Sequence, residues 1–281
     1  MKFDVITANP PYQAPREVDQ KSSGDTIWHV FVHDAITRLL EDGGYMAFLH
    51  PSGWRKPTSE DLDLTDLEHK QNTSDGTYRY IWEELTKYPI YALYLYNTKD
   101  GMTYFDAGTR FEWYLLQKSD AKTITKIKGD DGNFYQEDLT EWDFLPNNNY
   151  EFVKSLLHPK PYNILQGGKK YVLKETKTEE YCYPVVNSTT SELKLFYTNE
   201  VIKTVPKFII GESGQDTAFY DKDGSYGMTP NCFGVIVDEK EAEILEKFLK
   251  SSDFEKLKKA CAWSNFRLDW RLFTKIRITD R

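Results

Sequence analysis

The sequence predicts an α/β fold in which an open, partly parallel sheet precedes a mixed α+β region. Residues 3–8 (FDVITA) form a short apolar run that ends at a proline, as a buried strand does. An amphipathic helix is predicted from about Thr26 to Glu41, where apolar residues recur every three to four positions. Gly43-Gly44 ends this helix, and a second apolar run (YMAFLH) leads to Pro51. This strand–helix–strand order predicts a parallel crossover, the unit of an open α/β sheet.

The rest of the first half alternates between helical and extended patterns. A polar, acidic loop is predicted over 56–76, followed by a helix near Tyr78–Thr86 and a strand at YALYLYN. The segments MTYF and RFEWYLLQ flank Asp106-Ala107-Gly108, which predicts a hairpin.

The polar run Pro146-Asn147-Asn148-Asn149 marks the predicted boundary between a domain of residues 1–146 and a domain of residues 147–281. Beyond the boundary, KFIIG and CFGVIV predict strands separated by Gly/Asp turns. A charged amphipathic helix is predicted over about Glu239–Cys261. The second domain is therefore expected to be of mixed α+β type.

Composition limits where the protein acts. Hydrophobic residues make up 40% of the 281, enough for a packed core. No run approaches the roughly 18 apolar residues of a membrane span. Lys2 and Asp4 stand where a signal peptide would be apolar. Three isolated cysteines and scattered histidines fit a cytoplasmic protein without a metal site.

The net charge of −8 conceals a difference between the two halves of the chain. Residues 1–150 hold 15 basic and 25 acidic side chains, a net of −10, whereas residues 151–281 hold 21 and 19, a net of +2. If either half contacts nucleic acid, the second half is expected to do so.

The tetrapeptide Asn9-Pro10-Pro11-Tyr12 follows the first strand, where ligands bind in open α/β sheets. Two prolines give a rigid turn with few backbone donors, so that its carbonyl groups are presented as acceptors. The Asn9 side-chain oxygen adds a second acceptor, and paired acceptors suit an exocyclic NH2 group. Tyr12 supplies a flat ring for stacking on a planar base or amide. A strand-terminating turn with a packed aromatic is the simpler structural interpretation.

Four segments carry a resemblance to the S-adenosylmethionine-dependent amino-methyltransferases, and among them to the gamma-type adenine-N6 DNA methyltransferases of restriction-modification systems. KFDVITANPPYQ resembles their catalytic motif IV, and IWHVFVHDAITRLLEDGGYMAFLHPSGW the helix and strand after it. MTYFDAGTRFEWYLLQ resembles a later strand pair. KFIIGESGQDTAFYDKDGSYGMTPNCFGVIV resembles part of the target-recognition domain of type IIG-like members. The resemblance implies a partial Rossmann-like methyltransferase sheet followed by a target-recognition domain.

The resemblance also implies the roles of individual residues. Asn9 and the Pro10 carbonyl would hold the adenine N6 amino group, with Pro11 completing the rigid turn. Tyr12 and Phe105 would stack on a base extruded from double-stranded DNA. A hairpin aromatic such as Phe105 is as often plain core, and that interpretation stays open.

The methyl donor, S-adenosyl-L-methionine, is bound in that family by a Gly-rich loop that precedes motif IV, and no such loop is found in this chain. Residues 208–214 (FIIGESG) are a poor substitute because no helix follows them. The first strand is then expected to present an unpaired edge. We expect a second polypeptide to supply the donor-binding half; a fragment of a longer enzyme and a degenerate relative remain alternatives.

Cations of the second half are candidates for contacts to DNA phosphates. They lie in the turn Gly167–Tyr171 and among the aromatics near the C-terminus: Lys169, Lys170, Arg267, Arg271, Lys275, Arg277 and Arg281. Solvated helix positions beside core aromatics are the structural alternative for each of them.

Together these features predict the catalytic and target-recognition portion of a site-specific adenine-N6 DNA methyltransferase. Glutamine-N5 and guanine-N2 methyltransferases share the motif, but the long second domain favours DNA. A protein of another class, which binds DNA or a partner through a degenerate methyltransferase fold without catalysis, is the alternative.

Overall fold

The computed structural model describes residues 1–14, 26–58, 74–168, 171–263 and 267–279, with the backbone alone for residues 74–79. Within this part the chain forms two compact units. Unit 1 comprises Met1–Tyr150 and Trp263, and unit 2 comprises Glu151–Ala262 and 267–279. None of the described helices is long and apolar enough to cross a membrane.

Unit 1 is built around a mixed sheet with helices between its strands. Its elements are β1 (Phe3–Ala8), α1 (Trp28–Asp34) continued by a π-helical turn (Ala35–Leu39), β2 (Leu40–Pro51), a 3₁₀ turn (Ser52–Arg55), α2 (Ser74–Thr86), β3 (Ile90–Tyr96), α3 (Thr98–Phe105), β4 (Phe111–Gln117), β5 (Thr125–Lys128), β6 (Phe134–Glu137) and a 3₁₀ turn (Leu139–Glu141).

The six strands are ordered β1-β2-β4-β3-β5-β6. β1 pairs with β2 in parallel, so the predicted crossover is confirmed, and β3 pairs with β5 in parallel. β4 runs antiparallel between β2 and β3. The fold class is confirmed: unit 1 contains a partial Rossmann-like sheet of mixed α/β type. β1 is its edge strand, as expected, and Phe3 and Val5 are 42% and 61% exposed.

The first predicted helix is shorter than its pattern indicates. Helical geometry ends at Leu39, and β2 begins at Leu40, which pairs with Phe3 of β1. Gly43-Gly44 therefore lies inside the strand, where Gly43 adopts a φ of 85° and donates its amide to the Lys118 carbonyl. Pairing with neighbouring strands thus overrides the local helical pattern.

The hairpin predicted around Asp106 is wrong, because residues 102–105 belong to helix α3. The Asn97 side chain accepts hydrogen bonds from the amides of Lys99 and Asp100, and the Asp100 carboxylate accepts one from the Asn97 amide. This reciprocal capping starts the helix. Asp106, with a φ of 51°, ends it in the left-handed region.

Unit 2 is of mixed α+β type, as predicted. Its elements are α4 (Tyr150–Lys154, at the boundary), β7 (Asn163–Gln166), β8 (Tyr183–Thr189), β9 (Leu193–Thr198), β10 (Lys207–Gly211), β11 (Phe219–Asp221), β12 (Gly227–Met228), β13 (Cys232–Ile236), α5 (Glu239–Leu249), α6 (Ser252–Ala260) and a 3₁₀ turn (Trp270–Thr274). They form a sheet of order β11-β10-β13-β7 and a smaller one of order β12-β8-β9.

The single helix predicted over 239–261 is in fact two helices. Lys250 leaves helical geometry, and the Ser251 hydroxyl accepts a hydrogen bond from the Phe254 amide, which caps α6 as a new helix. The break lets Phe248 and Phe254 pack against each other with ring centroids 5.7 Å apart.

The polar run used to predict the domain boundary lies within unit 1. Asn147 is 1% exposed and its Oδ1 accepts a hydrogen bond from Arg55, while Asn148 donates to Asp130. The units divide after Tyr150 instead, because these asparagines are satisfied by buried partners of the first unit.

Candidate functional site

The Asn9–Tyr12 turn lies at the carboxyl end of β1. Asn9 and Pro11 are exposed, whereas Pro10 is buried. The Tyr12 carbonyl accepts a hydrogen bond from the Ile27 amide at 3.2 Å, immediately before α1. The turn is therefore held between the first strand and the first helix, and Asn9 is exposed.

A cavity of about 710 Å³ opens beside this turn. It lies wholly in unit 1, and its lining consists of Asn9, Pro10, Pro11, Tyr12, Gln13, Thr26, Trp28, Pro51, Phe105, Ala107 and Thr109. Among the described residues of this lining, Tyr12 is the one with an ionisable side chain. The described lining therefore offers hydrogen-bond acceptors and rings to a ligand.

The structure brings together Tyr12 and Phe105, which are far apart in the sequence. Their ring centroids are 6.4 Å apart and the planes are inclined at 69°. Two rings that sandwich a flat base are parallel and about 7–8 Å apart, twice the usual carbon–carbon contact. One ring must rotate to admit a base between them, and the 37% exposure of Phe105 leaves it room to do so.

The Tyr12 hydroxyl points into the protein, where it has no hydrogen-bond partner among the described residues. Burial, together with the nearby Glu112 carboxylate, raises the pKa of Tyr12 to about 12. The phenol is therefore neutral at physiological pH, and the residue offers a ring face to the cavity rather than a base.

The cavity floor is a buried aromatic layer. Trp28 stacks on His50 with centroids 4.3 Å apart and an interplanar angle of 12°. His50 donates from Nδ1 to the Pro51 carbonyl at 3.0 Å, and its Nε2 lies 3.3 Å from the Tyr114 hydroxyl. Burial lowers the pKa of His50 to about 4, so the imidazole is neutral. Its role is to fix Trp28 and Pro51 in the lining.

An ion pair below this layer joins the strands to the end of unit 1. Arg55 donates to Glu112 at 2.6 Å, and both side chains are essentially inaccessible. The Trp54 indole also donates to Glu112. The remaining Arg55 nitrogens bind the Leu145 and Pro146 carbonyls and Asn147. Glu112 is thereby held where its charge helps to raise the pKa of Tyr12.

Pattern reasoning missed several lining residues. Trp28, Pro51 and Thr109 were not identified as site residues, although Pro51 ends the strand next to β1. The signal was available, because carboxyl ends of adjacent parallel strands meet at the same sheet edge.

The predicted DNA-binding residues occupy very different environments. Lys169 and Lys170 lie outside the described residues. Arg267 is exposed, 3.4 Å from Glu212. Arg271 binds Asp269 through two nitrogens, each at 2.7 Å, and Lys275 is only 8% exposed. Arg277 is paired with Glu241, and Arg281 lies outside the described residues. The DNA-binding role of all seven stays a prediction, and the pairing of Arg271 and Arg277 and the burial of Lys275 weigh against direct phosphate contacts by those three.

The described residues do not fit a donor-binding site. A donor loop needs a Gly-rich turn that leads from a strand into a helix. Gly211–Gly214 follows β10, but the next described element is strand β11, which pairs back onto β10.

Residues 1–78 match the model of the Eco57I restriction-modification methylase family. The resemblance inferred from the opening motif is confirmed for this segment. No curated protein matches the chain.

Solved structures of restriction-modification proteins are similar to the chain. The type IIG restriction endonuclease BpuSI is 10% identical, over 99% of this chain and 47% of its own, with a TM-score of 0.37. A type I methyltransferase subunit from Streptococcus thermophilus is 16% identical, over 48% of this chain and 29% of the subunit, with a TM-score of 0.28. A chain of a type I restriction-modification complex is 12% identical, over 50% of this chain and 28% of its own length, with a TM-score of 0.30. This chain spans less than half the length of each.

Proposed function

We propose, from the premise that residues 1–78 belong to the Eco57I restriction-modification methylases, that this chain is the catalytic and target-recognition portion of a site-specific DNA methyltransferase acting on adenine N6. S-adenosylmethionine would supply the methyl group. The observation that carries the proposal is the position of Asn9–Tyr12, at the end of a parallel strand and on the wall of a 710 Å³ cavity.

The chemistry proposed for this chain is the orientation of an amino group. The Asn9 side-chain oxygen and the Pro10 carbonyl would each accept one hydrogen of the N6 amine. With both hydrogens held, the nitrogen lone pair is drawn out of conjugation and directed toward the methyl group. The described part of the lining supplies acceptors and rings, which suits a reaction that relies on orientation of the amine.

The two rings would hold the extruded base. Tyr12 is neutral because its pKa is raised, so it can stack without placing a charge beside the base. Phe105 would close on the other face, since its ring packs edge-on against Phe111 at 4.9 Å and is 37% exposed. Stacking on both faces would offset the few kcal/mol, on the order of 2–4, lost on unstacking.

We propose that a further polypeptide segment, from a second chain or from additional sequence, binds the methyl donor and pairs with β1. The support is the unpaired edge of β1, where Phe3 and Val5 are exposed, and the absence of a donor loop from the described residues.

Double-stranded DNA is the proposed substrate, and unit 2 the proposed reader of its sequence. The more basic balance of the second half supports this assignment, with exposed Arg267 as the clearest candidate among the described cations. The reaction would take place in the cytoplasm of a bacterial or phage-infected cell.

The test is transfer of tritiated methyl groups to DNA by the chain purified with its co-purifying polypeptides from its source cells. Asn9→Ala should lower transfer by at least about 100-fold, the usual effect of removing one such polar group. DNA binding should change less than about twofold, because Asn9 would contact only the extruded base. Asn199→Ala, which alters an exposed asparagine of unit 2, is the control and should retain full transfer.

Label on adenine N6, lost in the Asn9 variant, would establish the activity. Loss of DNA binding on Asn9→Ala would show that the motif is structural. DNA binding without label, whatever polypeptide co-purifies, would favour the non-catalytic alternative.

A further inference from the structure

Two asparagines of unit 2 meet beside a turn that its backbone already holds. Asn187 belongs to β8, whereas Asn231 lies in the turn between β12 and β13. In that turn the Thr229 amide donates to the Val186 carbonyl at 2.9 Å. The Asn231 carbonyl accepts from the Glu212 amide, also at 2.9 Å. These backbone hydrogen bonds fix the turn without any contribution from the asparagine side chains.

The side chains of Asn187 and Asn231, here called the asparagine pair, are bound to each other. Asn187 Oδ1 accepts two hydrogen bonds, from the Thr229 hydroxyl at 3.1 Å and from Asn231 Nδ2 at 3.2 Å. The Thr229 hydroxyl accepts in turn from the Asn231 amide at 3.3 Å. Thr229 is only 4% exposed, so its hydroxyl is shielded from water and orients the Asn187 side chain.

Two polar groups of the asparagine pair remain for a ligand. Asn187 Nδ2 and Asn231 Oδ1 have no hydrogen-bond partner among the described residues. Asn231 is exposed and Asn187 is half-buried. The pair therefore presents one donor and one acceptor on side chains that are already oriented, which lowers the entropy lost on binding.

An exposed cation lies near the asparagine pair. Glu212, which binds the Asn231 carbonyl through its amide, accepts from the Leu268 amide at 2.8 Å through its own carbonyl. Arg267, the residue before Leu268, has a 60% exposed side chain that lies 3.4 Å from the Glu212 carboxylate. An exposed ion pair of this length contributes little, so the guanidinium can turn to a phosphate.

A donor beside an acceptor matches one base edge of double-stranded DNA. In the major groove adenine offers the N7 acceptor and the N6 amino donor, and asparagine is suited to both. Guanine offers two acceptors there, cytosine a donor alone, and thymine an acceptor and a methyl group. Adenine is therefore the base that satisfies both groups of the asparagine pair.

We infer that Asn187 and Asn231 determine sequence specificity by reading one adenine that stays paired in the recognition sequence. Asn187 Nδ2 donates to N7 of this adenine, and Asn231 Oδ1 accepts from its N6 amino group. Arg267 contacts a neighbouring phosphate. The inference deepens the proposed function, on which it rests, because it names one base of the recognition sequence and the residues that read it.

Selection of binding sites from duplexes of randomised sequence tests the inference without requiring methyl transfer. The protein is the chain together with its co-purifying polypeptides. The wild type should select adenine at one position where Asn187→Ala and Asn231→Ala each lower the preference about tenfold, the usual cost of losing a base contact. Preference at the other positions should change less than about twofold, which shows that each variant is folded.

Asn199→Ala is the matched control. Asn199 is an exposed asparagine of unit 2 that follows β9. Its replacement should leave the preference at every position unchanged.

A base analogue identifies the atom that Asn187 contacts. 7-Deazaadenine at the selected position lacks the N7 acceptor, and it should weaken binding by the wild type about tenfold. It should weaken binding by Asn187→Ala less than about twofold, because that variant has no donor to lose.

Four results would overturn the inference. They are equal weakening of the preference at every position, an unchanged profile or a relaxed position that is not adenine, a wild type without sequence preference, and equal sensitivity of the wild type and Asn187→Ala to 7-deazaadenine. Methyl transfer is measured on the same preparations so that the two proposals fail separately. The expected profiles without transfer refute only the proposed catalysis, whereas transfer with unchanged profiles refutes the reading of adenine alone.

Discussion

Replacement of Arg55 by methionine tests how unit 1 holds the floor of the cavity. The guanidinium donates to Glu112 at 2.6 Å, to two backbone carbonyls at 3.0 and 3.3 Å, and to Asn147 at 3.0 Å. Methionine keeps much of the side-chain volume but removes the charge and every donor. Glu112, which is 0% exposed, then loses its counterion.

The expected loss of unfolding free energy is about 3–5 kcal/mol, the usual result of leaving one member of a buried ion pair without its partner. Adding Glu112→Gln removes the uncompensated charge and should restore about 2 kcal/mol of the free energy of unfolding. Recovery stays incomplete because the Pro146 carbonyl and the Asn147 side-chain oxygen still lose their Arg55 donor, at about 1 kcal/mol each, whereas the Leu145 carbonyl keeps its hydrogen bond from the Trp263 indole.

The loss should depend on pH in a defined direction. Burial raises the pKa of Glu112, and Arg55 opposes that rise, so removing Arg55 raises it further. A carboxyl whose folded pKa exceeds its unfolded value stabilises the folded state below the unfolded pKa, and that stability is lost as pH rises through the folded pKa. Arg55→Met should therefore lose stability from about pH 4.5 upward, by about 1.4 kcal/mol per pH unit until the raised pKa is reached.

Urea unfolding followed by tryptophan fluorescence measures this, since six of the seven tryptophans belong to unit 1. Arg38→Met is the control: its pair with Asp34 is exposed and should contribute less than about 0.5 kcal/mol. An Arg55→Met loss below about 1 kcal/mol, a loss that shrinks as pH rises, or no recovery with Glu112→Gln would refute the reasoning.

Two further predictions concern the cavity. His50 has its pKa lowered to about 4, so its contribution to stability is present above its unfolded pKa of about 6.5 and is lost as pH falls from there to about 4. Between pH 7 and pH 4 the free energy of unfolding of His50→Gln should therefore fall by about 3 kcal/mol less than that of the wild type. Equal decreases for the two proteins in an acid titration would contradict this. A Cβ on Gly101 would lie 2.1 Å from the Thr109 carbonyl oxygen, so Gly101→Ala must displace the turn after Phe105 and should reduce methyl transfer at least about tenfold. Gly168→Ala, whose Cβ meets nothing closer than 3.7 Å, should retain transfer; equal activity of the two glycine variants would show that this turn is dispensable.

The opening motif was predictable because its information is local. An apolar run that ends in two prolines marks both a strand and the rigid turn after it, and the second apolar run predicts the parallel partner. The structure places Asn9–Tyr12 at that strand end and on the cavity wall. Its catalytic role stays a proposal, because the geometry of an uncharged turn does not by itself require that the protein catalyses methyl transfer.

The position of Phe105 shows where pattern reasoning fails. Alternating apolar residues around Asp106 predicted a hairpin, yet the Asn97–Asp100 capping box begins a helix. That signal was present in the sequence as an asparagine followed by an acidic residue three positions later. The approach of Phe105 to within 6.4 Å of Tyr12 depends on where α3 ends relative to β1, which no local pattern encodes.

Charge patterns near the C-terminus were still less decisive. Arg271 and Lys275 stand among aromatics as a DNA-binding surface would have them, but one is bound by Asp269 and the other is buried. A one-dimensional pattern of cations does not say which of them face solvent, because that depends on the packing of distant segments.

By itself the sequence determined the α/β class, the parallel crossover and the motif after the first strand. Each of these depends on patterns among residues that are near one another in the sequence. Tertiary structure decided that the Tyr12 ring lies close to Phe105, and that Arg55 is enclosed by Glu112 and Asn147. Those features depend on strand order and on which side each helix packs. They arise because buried charges and apolar faces must find partners far away in the sequence.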